Sequence, residues 1–203
     1  MIKDILDKQI VLLGLKFKFF VTIPYGFKNT DISRVRRDNQ KIKECLRQFY
    51  DYPVRIFFFI EQHTDPASKH FQGYHRHLLV EDLPPEKWKK VSISVERDLL
   101  NNDVTALFAV RMSGEVTDKQ KAGVLKRFLH RCPSVPGGAV AVDVRPITDT
   151  AGLLEYCTKQ SDKVLSTADV FDEDNSDINT DQYWRDWDDA SSKSLRRYQG
   201  LLH

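Results

Sequence analysis

A chain of 203 residues, 41% of them apolar, can bury one core without disulfide or metal staples, and its length fits one domain or one domain with an appendage. Its three cysteines, Cys45, Cys132 and Cys157, form no CxxC pair and are odd in number, which argues against a disulfide framework or thiolate zinc site and for a reducing, intracellular compartment. The net charge of +2 conceals an asymmetry: residues 164–203 carry nine acidic and four basic groups, leaving 27 basic against 20 acidic before them, a balance compatible with a polyanionic partner.

The apolar stretch from Ile10 to Ile23 is interrupted by Lys16 and Lys18 and lacks a basic leader and a small-residue cleavage site, so no signal peptide is read. No segment reaches the roughly 20 uncharged apolar residues of a bilayer span, and a soluble protein without a membrane partner is expected. Residues 15–24, LKFKFFVTIP, read as a central strand closed by Pro24 and Gly26. Behind Asp31, Val35, Ile42, Leu46 and Phe49 recur at helical spacing, which predicts a long amphipathic helix to about Tyr50.

VRIFFFIEQ (54–62) reads as a buried strand ending at Glu61, and YHRHLLVE (74–81) as its antiparallel return after an 11-residue loop. Pro84 and Pro85 open a helix whose VSISV stretch also suits a strand, and residues 104–112 are ambiguous. A helix is predicted over 117–132 from Thr117 and Asp118, a strand over 139–147, and a helix in TDTAGLLEYCTKQ capped near Thr148 or Asp149. The expected architecture is α+β: a central antiparallel sheet of about five strands flanked by helices in residues 1–163, followed by an acidic, partly flexible tail over 164–203.

Alternation along a strand puts His75 and His77 on one face and Arg76 and Leu78 on the other. Two imidazoles with the carboxylate of Glu61 across the ladder form a donor set for a divalent ion such as Mn²⁺ or Mg²⁺, with coordination positions left for phosphate. His63 and His70, in the predicted loop, are alternative ligands. On the last helix, Tyr156 shares a face with Gly152, Lys159, Gln160 and Lys163, whereas Leu153 and Cys157 form a stripe suited to the core. A tyrosine beside cations and a metal is a candidate nucleophile, with Lys159 as its electrostatic helper.

Together FFVTIP (19–24), FFFIEQ (57–62), GYHRHLLVE (73–81) and EYCTKQ (155–160) resemble the HUH endonucleases, which include rolling-circle replication initiators and related transposases. The resemblance covers about residues 15–163. It implies an HUH-like fold with Glu61, His75 and His77 as metal ligands, Tyr156 as the single nucleophile and Lys159 beside it. The implied activity is nicking and rejoining of single-stranded DNA, or of an origin hairpin, through a 5′-phosphotyrosine. Location would then be the cytoplasm or a host nucleus, according to the replicon.

Two features depart from the family pattern. Arg76 stands where a hydrophobic residue is usual, so either its stem packs against a helix or that face is wetter. The sequence has no G-x-x-x-x-G-K-[ST] loop, so a separate helicase would have to unwind the DNA. Outside nicking, two readings remain: a noncatalytic single-strand binder stacking bases on Phe19, Phe57 and Phe59, and a metal-dependent hydrolase using water.

Overall fold

The computed structural model describes residues 2–24, 31–50, 52–67, 73–88, 116–132, 135, 142–160, 167–179, 181 and 185. Its complete elements are α1 (Ile2–Leu12), β1 (Phe17–Pro24), α2 (Ile32–Tyr50), β2 (Ile56–Gln62), β3 (Tyr74–Glu81), α3 (Asp118–Arg131), β4 (Asp143–Pro146), α4 (Thr150–Cys157) and α5 (Thr167–Val170). The fold is α+β. The four strands form one antiparallel sheet in the order β2-β3-β1-β4. Residues 85–88 make a helical turn behind Pro84, while the rest of that expected helix and the ambiguous 104–112 stretch lie outside the described residues.

The period of the apolar residues explains how the sheet is covered. In β1, Phe19, Val21 and Ile23 are at most 1% exposed on one face, joined there by Leu78 and Val80 of β3 and Ile56 and Phe58 of β2. Ile42 and Leu46 of α2 and Ala122, Leu125 and Leu129 of α3 pack on that face. The other face presents Phe57, Phe59 and Leu79 to Ile2, Ile5 and Leu6 of α1 and to Leu154 and Cys157 of α4. Both faces of β2 are therefore buried, which is why IFFFI runs without polar alternation.

Local chemistry sets the helix ends. Asp31 accepts the Ser33 amide at 3.1 Å to start α2, and Thr117 and Gln120 form a reciprocal capping box on α3. The helix α1 was not anticipated, although Ile2, Ile5, Leu6 and Gln9 bury one helical stripe. It ends at Gly14, whose φ of +59° lets the Gly14 and Leu15 amides return to Val11 and Ile10.

The acidic segment packs against the body within the range expected to be a tail. Phe171 forms an antiparallel bridge to Phe59, and Asp177 and Ser176 accept the Ile56 and Phe58 amides. Arg47 and Lys43 of α2 hold Asp177 at 2.6 and 2.9 Å. Val170, Phe171 and Asp172 are buried, so over 167–179 this segment covers the free edge of β2 rather than hanging from the domain. Among the described residues, no helix is long and apolar enough to cross a membrane.

Candidate active site

The register of the sheet assembles the first three residues. Glu61 pairs with His75, and His77 lies between Phe59 of β2 and Thr22 of β1. Directly paired residues share a face, so the carboxylate and both imidazoles emerge on the side covered by α1 and α4. Glu61 Oε2 lies 2.7 Å from His75 Nε2 and 2.9 Å from His77 Nε2. Burial opposes the Glu61 charge, but hydrogen bonds from His75, His77 and Lys159 outweigh it and hold the carboxyl well below the usual carboxylate range. Burial pushes His77 down despite its bond to Glu61, which favours the neutral imidazole a metal ligand requires.

The short helix α4 brings the other two residues. Asp149 caps it by accepting the Gly152 amide at 3.0 Å, and a Cβ at Gly152 would collide with the Asp149 carboxylate. The helix stops at Cys157, where Thr158 returns its hydroxyl and its amide to Leu154. That stop aims the next two residues differently from a continued helix. Lys159 Nζ reaches Glu61 Oε1 at 2.6 Å and sits 3.9 Å from the Tyr156 ring centre, whereas Gln160 turns to the backbone of Gln62 on β2.

Tyr156 is 42% exposed, and its ring stands 5.3 Å from His77 and 6.3 Å from Phe20, edge to face. Phe20 stacks on His77 at 5.1 Å and 17° between planes. A cleft of about 830 Å³ opens over these groups, lined by Phe20, Thr22, His75, His77, Arg145 and Tyr156 among others. All five predicted site residues thus belong to one locality: His75, His77 and Tyr156 line the cleft, Glu61 bonds both imidazoles, and Lys159 lies between Tyr156 and Glu61.

No family model, curated protein or solved structure matches this chain. The functional reading therefore rests on geometry. The Glu61, His75 and His77 donor atoms all lie within 4.8 Å of one another, and two imidazole nitrogens with one carboxylate oxygen fit a divalent first-row or magnesium ion. These residues could hold a metal ion.

Three sequence readings are refined by the structure. His63 does not join the Glu61 cluster; its Nε2 lies 3.1 Å from Nδ1 of His75, behind that ring, while His70 lies outside the described residues. Arg76 is fully buried, between Ile23 and Ile60 in register and facing away from the histidines, so the wetter-face alternative fails. Leu154 and Cys157 are the buried residues of α4, and Leu153 is half-buried, packing against the same core cluster while lining the cleft.

The residues that sequence reasoning missed surround the five. Thr22 Oγ1 lies 3.1 Å from His77 Nδ1, and Gln160 ties α4 to β2. Neither carries a motif. Thr22 is visible only after β1 is registered against β3, and Gln160 only after the stop at Cys157 is known. The proposed stacking residues Phe19, Phe57 and Phe59 are at most 1% exposed and closed to a base.

Proposed function

We propose that this chain is a metal-dependent, HUH-type nickase that cuts and rejoins single-stranded DNA through Tyr156. The observation that carries the reading is the placement of an exposed tyrosine 5.3 Å from His77, in a cleft that both line with His75, where the Glu61 carboxylate bonds the two imidazoles. A tyrosine packed for stability alone has no need of a cation against its ring and a carboxylate–imidazole cluster beneath it.

Glu61, His75 and His77 would hold Mn²⁺ or Mg²⁺, which when bound supplies Lewis-acid polarisation of the scissile phosphate. The chain's own residues do the rest. The stacked pair of Phe20 and His77 packs edge to face against one side of the Tyr156 ring, which holds the tyrosine beside the carboxylate–imidazole cluster. Tyr156 Oη forms a bond to phosphorus as the bond from phosphorus to the 3′-oxygen breaks, and the phenolic proton passes, net, to the departing 3′-oxygen. Lys159 stabilises negative charge on the phenol and phosphate. The product is a 5′-phosphotyrosine and a free 3′-hydroxyl, and attack by another 3′-hydroxyl reverses the step without ATP.

A single-stranded substrate or extruded hairpin follows from the need to bring one phosphate down to Tyr156, with the exposed Arg145, ion-paired to Asp143 at 2.6 Å, lining the cleft where a neighbouring phosphate would recruit it. A rolling-circle replication initiator working with a helicase supplied in trans is the role we favour over a transposase.

Incubation of end-labelled single-stranded oligonucleotides with Mn²⁺ or Mg²⁺ and wild type, Tyr156→Phe or His77→Ala tests the reading on denaturing gels. The expected result is a covalent adduct carrying the sequence 3′ of the cut, absent in both variants. Cleavage without an adduct would instead establish a water-using hydrolase. Binding without cleavage across a broad oligonucleotide library would establish a binding module.

A further inference from the structure

The cleft over Tyr156 is larger than one phosphate and its cation require. Its volume of about 830 Å³ exceeds the roughly 300 Å³ at which pockets for small organic ligands begin. Away from the imidazoles it runs into the corner where β4 leads into α4, and the lining changes there: Pro146, Ile147 and Leu153 are apolar, and Asp149 is a carboxylate. Ile147 and Leu153 are half-buried against the core cluster that α1 and α4 share with the sheet, and the Ile147 amide donates to Lys18 O at 2.8 Å, so this wall is anchored. A carboxylate repels phosphate, and apolar walls suit a nucleobase better than a charged backbone.

The start of α4 fixes that carboxylate. Asp149 Oδ1 accepts the Gly152 amide at 3.0 Å, which caps the helix. Asp149 Oδ2 occupies the space that a Cβ on Gly152 would need, and among the described residues no donor meets it. Gly152 lies four residues before Tyr156, which puts the two on one helix face about 6 Å apart, and both line the cleft. A base reaching from a phosphate at Tyr156 into this corner therefore meets Oδ2 with its edge.

We propose that the β4–α4 corner is a nucleobase subsite for one nucleotide flanking the scissile phosphate, with Ile147 and Leu153 against the base and Asp149 Oδ2 accepting an exocyclic amino group. This inference rests on the nicking reading above and adds a sequence preference to the same cleft. Cytosine, adenine and guanine carry such an amino group. Thymine has none, and its single ring N–H is flanked by two carbonyl oxygens that a carboxylate repels. The corner thus admits an amino-bearing base and disfavours thymine.

The cap makes the test selective. Asn and Ser cap helices about as well as Asp, so Asp149→Asn and Asp149→Ser should keep the wild-type melting temperature. With its Oδ1 on the Gly152 amide, Asn puts an NH₂ donor where Oδ2 was, and Ser puts nothing there.

The full chain is incubated with Mn²⁺ and a randomised single-stranded oligonucleotide library, and covalent adducts are sequenced to locate the cut. The two positions flanking the cut are then varied one at a time in single-turnover assays. At one of them, wild type should form adduct about tenfold faster with an amino-bearing base than with thymine, and about tenfold slower when that nucleotide is abasic. In the Asn and Ser variants the ratio of amino-bearing base to thymine should fall to within about twofold. A wild type indifferent to the base at both positions, an abasic nucleotide without effect, or Asn and Ser variants that keep the wild-type ratio would each overturn the subsite while leaving nicking in place. No adduct from wild type with any oligonucleotide would remove the nicking reading and the subsite with it.

Discussion

Gln160 holds the backbone of Gln62 by both its amide groups: its Nε2 donates to Gln62 O and its Oε1 accepts Gln62 N–H, each at 2.8 Å. The residue preceding Gln62 is Glu61, and the residue preceding Gln160 is Lys159. This pair of bonds therefore ties the strand carrying the carboxylate to the turn carrying the nucleophile's neighbour. Replacing Gln160 by Leu leaves both Gln62 groups without this partner and should lower stability by about 1–2 kcal/mol. Adduct formation in single-turnover assays should slow by about tenfold through misplacement of Tyr156, with Mn²⁺ affinity nearly unchanged. Equal rates for variant and wild type would show that the tie is structural only.

Lys159 and a metal ion would compete for the same carboxylate. Its ammonium bonds Glu61 Oε1, and although partial burial works against it, that bond raises its pKa and keeps it charged. Lys159→Met should tighten Mn²⁺ binding by about fivefold, as expected for removing one positive charge beside a half-exposed site. Nicking should nevertheless slow by about 100-fold, because charge on the phenol and phosphate loses its stabilising partner. Weaker metal binding in the variant would mean that Lys159 orders the ligands rather than opposing the ion.

Tyr156→Phe keeps the ring against His77 and Phe20 and removes only the hydroxyl. The melting temperature and Mn²⁺ affinity should stay at wild-type values while the covalent adduct disappears. Persistence of the adduct, located by peptide mapping, would identify another nucleophile.

Asp172, bonded to Asn39 of α2 and to Asn175, offers a pH test outside the cluster. Burial raises its pKa, against the hydrogen bonds it accepts at 2.8 Å from Asn39 and Asn175. A raised folded-state value means its stabilising contribution is fully present below the unfolded value of about 3.9 and is lost as pH rises through the folded value. Asp172→Asn has no such titration. The melting temperature of the variant minus that of wild type should therefore climb as pH rises above the unfolded value of about 3.9, read by calorimetry. A flat or falling difference would show that Asp172 is better stabilised as an anion than its burial suggests.

The amino-acid sequence by itself determined the described elements from β1 through α4, but not α1, and the grouping of three residues. Alternation in FKFFVTIP and YHRHLLVE settles which side chains share a face, and an unbroken IFFFI settles that β2 is buried on both sides. With β2 and β3 antiparallel, Glu61 falls opposite His75, because pairing on a strand is a matter of local period and loop length. Asp31, Thr117 and Asp149 mark the helix starts for the same local reason, the need of free amides for an acceptor.

Only the tertiary structure decided what those residues touch. Helical spacing put Tyr156, Lys159 and Gln160 on one face, but the helix ends at Cys157, and Thr158 turns Lys159 to Glu61 and Gln160 to Gln62. Thr22 and His63 meet the histidines through partners 55 and 12 residues away, and no local period encodes such contacts. The acidic composition of residues 167–179 read as solvent-loving, yet Arg36, Lys43 and Arg47 on α2 face its carboxylates, and Phe171 enters the core beside Phe57 and Phe59. Charge and hydropathy along a chain describe what each residue requires; which residue meets that requirement depends on the packing of distant segments, which supplied α2 for this acidic stretch.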